Sequence, residues 1–115
     1  MTRGDIYWAE LSPRSGSEQA GRRPVIVVSH DGFNQAQNWR SVIVVPISTS
    51  KAQAKRDLTA VEIPGGLRGL SRSGIAVCHQ VTTLDRSKLT RYAGRLSREL
   101  LSSVEEGLRA ALDLE

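Results

Sequence analysis

Arginine and hydroxyl side chains gather at two places along this 115-residue chain, and each place adjoins a strongly apolar run. The first is Gly16–Ser17–Glu18–Gln19–Ala20–Gly21–Arg22–Arg23–Pro24, which leads straight into Val25–Val28. Arg23 is the last polar residue before that run, so a buried strand would hold it at a fixed backbone position beside a loop. Pro24 adds stiffness, because a residue preceding proline is confined to extended conformations. The second place is Pro46–Ile47–Ser48–Thr49–Ser50–Lys51, where three hydroxyls and an ammonium leave another apolar run together. A guanidinium grips two phosphate oxygens at once, and hydroxyls add further donors, so phosphate chemistry is within reach of this set. The plainer alternative is that both places are merely the polar ends of strands.

Other kinds of site are poorly served. No Walker A run is present, and no Gly-x-Gly-x-x-Gly opens a helix. His30 and His79 are the only histidines, and a two-histidine site would need both to converge. Each lies at or within a strand signal, where a lone structural histidine is the commoner case. Asp5, Asp31, Asp57 and Asp85 are scattered, with no spacing that suggests a divalent cage. Cys78 is the only cysteine, which excludes an intramolecular disulfide and a cysteine-built zinc site. The expectation is chemistry with no metal and no cofactor, carried by arginine and hydroxyl groups.

Net charge is +4, and its distribution is uneven. Residues 97–115 hold Arg98 and Arg109 against Glu99, Glu105, Glu106, Asp113 and Glu115, a net −3, which leaves +7 on residues 1–96. Thirteen of the sixteen basic residues are arginine, whose planar fork suits phosphate. An anionic partner fits that balance, with nucleic acid the first guess, although a solvated basic surface fits it too.

The positioning elements follow from periodicity. No linker or repeat interrupts the chain, so a single domain over residues 1–115 is expected. Aromatics are 4% of the chain, so the core must be aliphatic. Asp5–Leu11 reads as a strand with Ile6 and Trp8 on one face and Tyr7, Ala9 and Leu11 on the other. Pro24–Ser29 and Val42–Ile47 read as strands buried on both faces. Thr59–Ile63, Gly74–Val81 and Arg91–Leu96 are further strand signals. Ser12–Gly21 is long for a hairpin connection, and loops of that kind are often functional. From Leu100 to Leu112 the apolar residues fall on one helical stripe, with Ser97 as the N-cap and Glu99 favourable in the first turn. Several short strands followed by one covering helix predict a small mainly β domain with a C-terminal helix. The apolar runs are too short to span a bilayer, and the N-terminus lacks the apolar stretch of a signal peptide, so the expected compartment is the cytoplasm.

Several segments match one family in order along nearly the whole chain. Arg3–Gly4–Asp5–Ile6–Tyr7–Trp8 resembles the Arg-Gly-Asp-(Ile/Val)-aromatic opening of MazF/PemK toxins. Gly16–Ser17–Glu18–Gln19–Ala20–Gly21 followed by Arg23–Pro24–Val25 resembles their Gly-Ser-Glu-Gln-x-Gly-x-Arg-Pro signature. Val44–Val45–Pro46–Ile47–Ser48–Thr49 is similar to a second segment, and Ala76–Val81 with Thr83–Leu84–Asp85 to a third. The resemblance implies an SH3-like barrel of the CcdB/PemK type and a homodimer that cuts single-stranded RNA at specific sequences, independently of the ribosome. It also implies a cognate MazE-like antitoxin whose acidic disordered segment occupies the RNA groove. The family's catalytic arginine and threonine map to Arg23 and Ser48; serine replaces threonine there, and Thr49 beside it is the other candidate. Thr82 stands where a basic residue is frequent.

Within that resemblance, the substrate's 2′-OH attacks the adjacent phosphate, leaving a 2′,3′-cyclic phosphate and a 5′-OH. Arg23 is suited to neutralising the phosphorane charge, and secondarily to donating a proton to the leaving oxygen. A guanidinium is a poor base, since an ordinary pKa above about 12 leaves almost no neutral form. Ser48 or Thr49 would hydrogen-bond the phosphate. Ser17, Glu18, Gln19, Lys51 and Gln80 are the candidate RNA-binding residues, with Glu18 either accepting the 2′-OH proton or reading a base edge. Phe33 and Trp39 either stack on bases or serve as core or dimer contacts. Two rival classes share the barrel: a non-enzymatic CcdB-like toxin that binds a topoisomerase, and a plain RNA-binding barrel.

Overall fold

The alternation along Asp5–Leu11 is expressed as a strand, β1, of those same bounds. Ile6 and Trp8 pack into one apolar cluster, Tyr7, Ala9 and Leu11 into another, as their spacing predicts. The computed structural model describes residues 1–11, 21–49, 57–66 and 73–115. After β1 come β2 (Gly21–Val27), α1 (Asp31–Asn34), β3 (Ser41–Ser48), β4 (Ala60–Ile63), β5 (Gly74–Val77), β6 (Thr82–Asp85), β7 (Leu89–Arg95) and α2 (Arg98–Leu112). Short 3-10 turns occupy Asp57–Thr59, Cys78–Gln80 and Arg86–Lys88. The expected mainly β architecture with a C-terminal helix is therefore present.

All strand pairs are antiparallel, in the order β4-β5-β3-β2-β1-β7, with β6 also on β3. The central strand β3 gives one edge to β2 and shares the other between β6, along Ser41–Val44, and β5, at Ile47–Ser48. Those two ladders are out of register by three residues, the length of the Cys78–Gln80 turn. The single strand expected over Gly74–Val81 is thus cut short at Val77, because Cys78 is drawn out of the ladder and buried in a 3-10 turn. The same excursion creates β6, which the alternation at Thr82–Asp85 did not announce.

The sheet has to curl. If β6-β3-β2-β1-β7 lay flat, its outer strands would sit about 19 Å apart, four spacings of ~4.8 Å. Arg86–Lys88 joins β6 to β7 directly, and so short a connection spans at most about 14 Å. Among the described residues no ladder joins β6 to β7. Inside the curl lie Ala9, Val25, Val42 and Val44, flanked by Tyr7, Leu84 and Leu89. The outer face carries Ile6, Ile26, Val45, Ile47, Ala76 and Ala93, covered by α2 through Val104, Leu100, Leu101 and Leu108.

Helix α2 begins where its cap residue dictates. The Ser97 hydroxyl accepts from the Leu100 N–H at 3.2 Å, and Glu99 lies in the first turn. Gly107 lets the helix settle onto the sheet: an added Cβ would meet Cys78 Sγ at 2.6 Å and Val61 Cγ2 at 3.1 Å. Arg3 ties the same helix to the strand end, its guanidinium pairing with Glu105 Oε2 at 2.5 Å and its Nε donating to the Val28 carbonyl at 3.0 Å.

Candidate functional site

Strand β2 starts three residues earlier than the apolar run suggests, so Arg23 sits inside the strand, paired with Ala9 of β1. Its side chain therefore shares a face with Ala9 and Val25, the inner face of the curl, and is half-buried at the mouth. The β2–β3 ladder pairs Val25 with Pro46, Ile26 with Val45 and Val27 with Val44. Carrying that register two residues further places Arg23 opposite Ser48, the last residue of β3. Cross-strand partners point to the same face, so Ser48 joins Arg23 on the inner side while Thr49 alternates away. Exposure runs the other way: Ser48 is 3% exposed and Thr49 is exposed. For one reaction with Arg23, a shared face is the stricter requirement, because a side chain on the opposite face cannot converge on the same phosphate.

Gln80 ends the 3-10 turn beside the middle of β3 and is half-buried. Its turn lies between the β3–β5 and β3–β6 ladders, on the edge of β3 away from Arg23. Ser17, Glu18, Gln19 and Lys51 lie outside the described residues. His30 is taken up structurally: it is the N-cap of α1, its Nδ1 accepting the Gly32 N–H at 2.8 Å. Among the described residues no group of three His, Cys, Asp or Glu comes together as a metal ion would need. No helix among them is long and apolar enough to cross a membrane.

One cation escaped the sequence reading. The Arg22 guanidinium lies 5.4 Å from the centroid of the Trp8 ring, a cation–π contact of ~0.5–1 kcal/mol at an exposed site. The sequence carried no signal for it: the β1–β2 register, which pairs Trp8 with Pro24, is what puts Arg22 on the same face. Arg22 and Arg23 thus flank the strand on opposite faces at one end of the sheet.

With that geometry in hand, comparison with known proteins is decisive. A family model described as PemK-like, MazF-like toxin of type II toxin-antitoxin system matches residues 2–112. The chain belongs to this family. It is 36% identical over 114 residues to Endoribonuclease EndoA of Bacillus subtilis strain 168, covering 99% of this chain and 96% of that protein. The crystal structure of MazF (Form-I) from Deinococcus radiodurans is similar with a TM-score of 0.80 at 25% identity, covering 99% of this chain and 97% of that one. A MazE-MazF structure (Form-II) from the same organism gives 0.75 at 26% identity, with 100% and 97% covered. In this MazF-like toxin the two motif segments, distant in sequence, lead into and out of adjacent paired strands, β2 and β3.

Proposed function

We propose that this MazF-like chain is an endoribonuclease that cuts single-stranded RNA at specific sequences, acting as the toxin of a toxin–antitoxin pair. The observation that carries the reading is the β2–β3 register, which ends at Val25 and Pro46 and, extended by two residues, sets Arg23 opposite Ser48. The match along the chain to a named endoribonuclease supports it. Attack by the substrate's own 2′-OH needs in-line alignment, charge neutralisation and two proton movements. Arg23 supplies the positive charge for the phosphorane oxygens and a proton for the leaving 5′-oxygen. Ser48 hydrogen-bonds the phosphate, and Gln80 with the Ser17–Gln19 segment and Lys51 reads and holds the RNA. The 2′-OH proton passes to a base, with Glu18 as the one carboxylate of the signature loop to take it, and the scheme invokes no metal.

The curl imposed by the short β6–β7 connection supports an SH3-like barrel of the CcdB/PemK type, formed by a single domain over residues 1–115. A homodimer and an acidic MazE-like antitoxin complete the reading; the similar MazE-MazF structure from Deinococcus radiodurans and the basic body of residues 1–96 support the antitoxin. The test is incubation of the purified protein with mixed-sequence single-stranded RNA in EDTA, followed by mapping of the ends. Cyclic-phosphate and 5′-OH ends at a recurring short sequence are expected. RNA bound but intact would make it a binding module, and absence of any RNA interaction would favour a protein target.

A further inference from the structure

At the end of the β2–β3 pair away from Arg23, two large aromatic side chains share an exposed surface. Phe33 and Trp39 are 44% and 46% exposed, their ring centroids 4.7 Å apart and tilted by 32°. Isolated exposed aromatics are ordinary, but this pair is held from beneath by donors distant in sequence. The Arg86 guanidinium donates to the carbonyls of Phe33 at 2.6 Å, Ala36 at 3.4 Å and Trp39, and the Arg86 N–H donates to the Arg40 carbonyl at 2.8 Å. Two rings fixed in this way lose little freedom on binding.

One exposed cation borders the pair, itself paired with the Asp85 carboxylate at 3.1 Å. Arg40, with a side chain 62% exposed, adjoins Trp39, while the His30 ring meets Phe33 edge-on at 6.3 Å. The nearby carboxylates are already engaged: Asp31 accepts from the Arg3 N–H and the Asn34 amide, Asp85 from the Ser87 N–H and Arg40. Flat ring faces beside a cation are what an unpaired base with its phosphate requires.

We propose that Phe33, Trp39 and Arg40 form a second RNA contact, a stacking platform for an unpaired base several nucleotides away from the cleaved step. It lies roughly 20 Å from Arg23, the length of the strands between them at ~3.3 Å per residue. This inference rests on the reading above that the substrate is single-stranded RNA. The platform contributes to holding longer RNA and takes no part in the bond change itself.

The chain has two tryptophans, Trp8 and Trp39, so ¹⁵N-labelled protein gives two indole N–H resonances that distinguish the two ends of the molecule. The probe is a mixed-sequence single-stranded RNA oligonucleotide, 2′-O-methylated throughout so that it lacks the nucleophile. The Trp39 resonance should shift on titration, and Trp39→Leu should weaken binding about tenfold, within the range for one stacked base. Phe33→Leu, which keeps the apolar bulk and removes the ring face, should weaken it in the same direction, and Arg40→Ala should flatten the salt dependence. Binding that leaves the Trp39 resonance unmoved overturns the platform while leaving cleavage of unmodified RNA, assayed separately, to judge the activity. A Trp39 resonance that moves with protein concentration and not with oligonucleotide also overturns it, assigning the face to self-association.

Discussion

At the scale of single residues, the proposed chemistry rests on Arg23 and a hydroxyl partner. Replacing Arg23 by alanine should lower RNA cleavage at least roughly a hundredfold, the scale of losing one key charge stabiliser. The melting temperature should barely move, because the side chain stands at the mouth of the curl and not in the core. Near-normal cleavage by the folded variant would remove Arg23 from the mechanism. Ser48 and Thr49 are separated by the same assay. Parity along β3 puts only Ser48 on the inner face, so Ser48→Ala should cost roughly tenfold or more and Thr49→Ala no more than a few-fold. The reverse ranking would transfer the role to Thr49. The place of Arg23 beside an apolar run was legible in the sequence, whereas which of two adjacent hydroxyls shares its face was not. That choice depends on register, which is set by a partner strand some twenty residues away.

Elements were legible where one periodicity governed a whole segment. The faces of β1 and the cap and stripe of α2 follow directly from spacing, because each packs one side against a core. The broken strand at Cys78–Gln80 did not, since apolar alternation continues through it while tertiary packing extracts Cys78 toward the helix. The brief α1 was equally hidden, being held by His30 and by the Asn34 side chain donating to the Ser29 carbonyl at 2.7 Å. Gly107 illustrates how packing inverts a local preference. By propensity, glycine within a helix costs about 1 kcal/mol relative to alanine. Here the extra methyl would press on the buried Cys78 sulfur and on Val61, so overpacking of ~1–3 kcal/mol outweighs that gain and Gly107→Ala should destabilise by up to ~2 kcal/mol net. Urea denaturation measures this directly, and a stabilised variant would show that α2 shifts outward at little cost. Burial pushes the Cys78 thiol up to about 11, so an alkylating reagent at neutral pH should modify it only on unfolding.

Across the whole molecule, carboxylates pin separate parts of the chain and make stability depend on acid. Asp31 accepts from the Arg3 N–H at 2.7 Å, fastening the N-terminal segment to α1, while Arg3 reaches on to Glu105 in α2. Asp85 caps the Arg86–Lys88 turn through the Ser87 N–H at 2.9 Å and holds Arg40 at 3.1 Å, fixing the connection that forces the sheet to curl. The Asn34 amide and the Arg3 N–H lower the Asp31 carboxyl, and the Ser87 and Arg40 donors bring Asp85 down to about 2. Both folded carboxyls hold their protons less tightly than unfolded ones, so the unfolded chain binds more protons in acid and stability falls as pH falls. Their contribution is complete above the ordinary carboxylate value of 3.8 and is lost as pH drops through the folded values, for Asp85 near 2. The urea midpoint should therefore be steady from pH 7 to about 5 and decline steeply below 4. In the Asp31→Asn, Asp85→Asn double variant the amide oxygens retain acceptors but cannot titrate. Its midpoint should start lower than that of the unaltered protein and fall less between pH 5 and 2. Parallel declines would place the acid lability in other carboxylates.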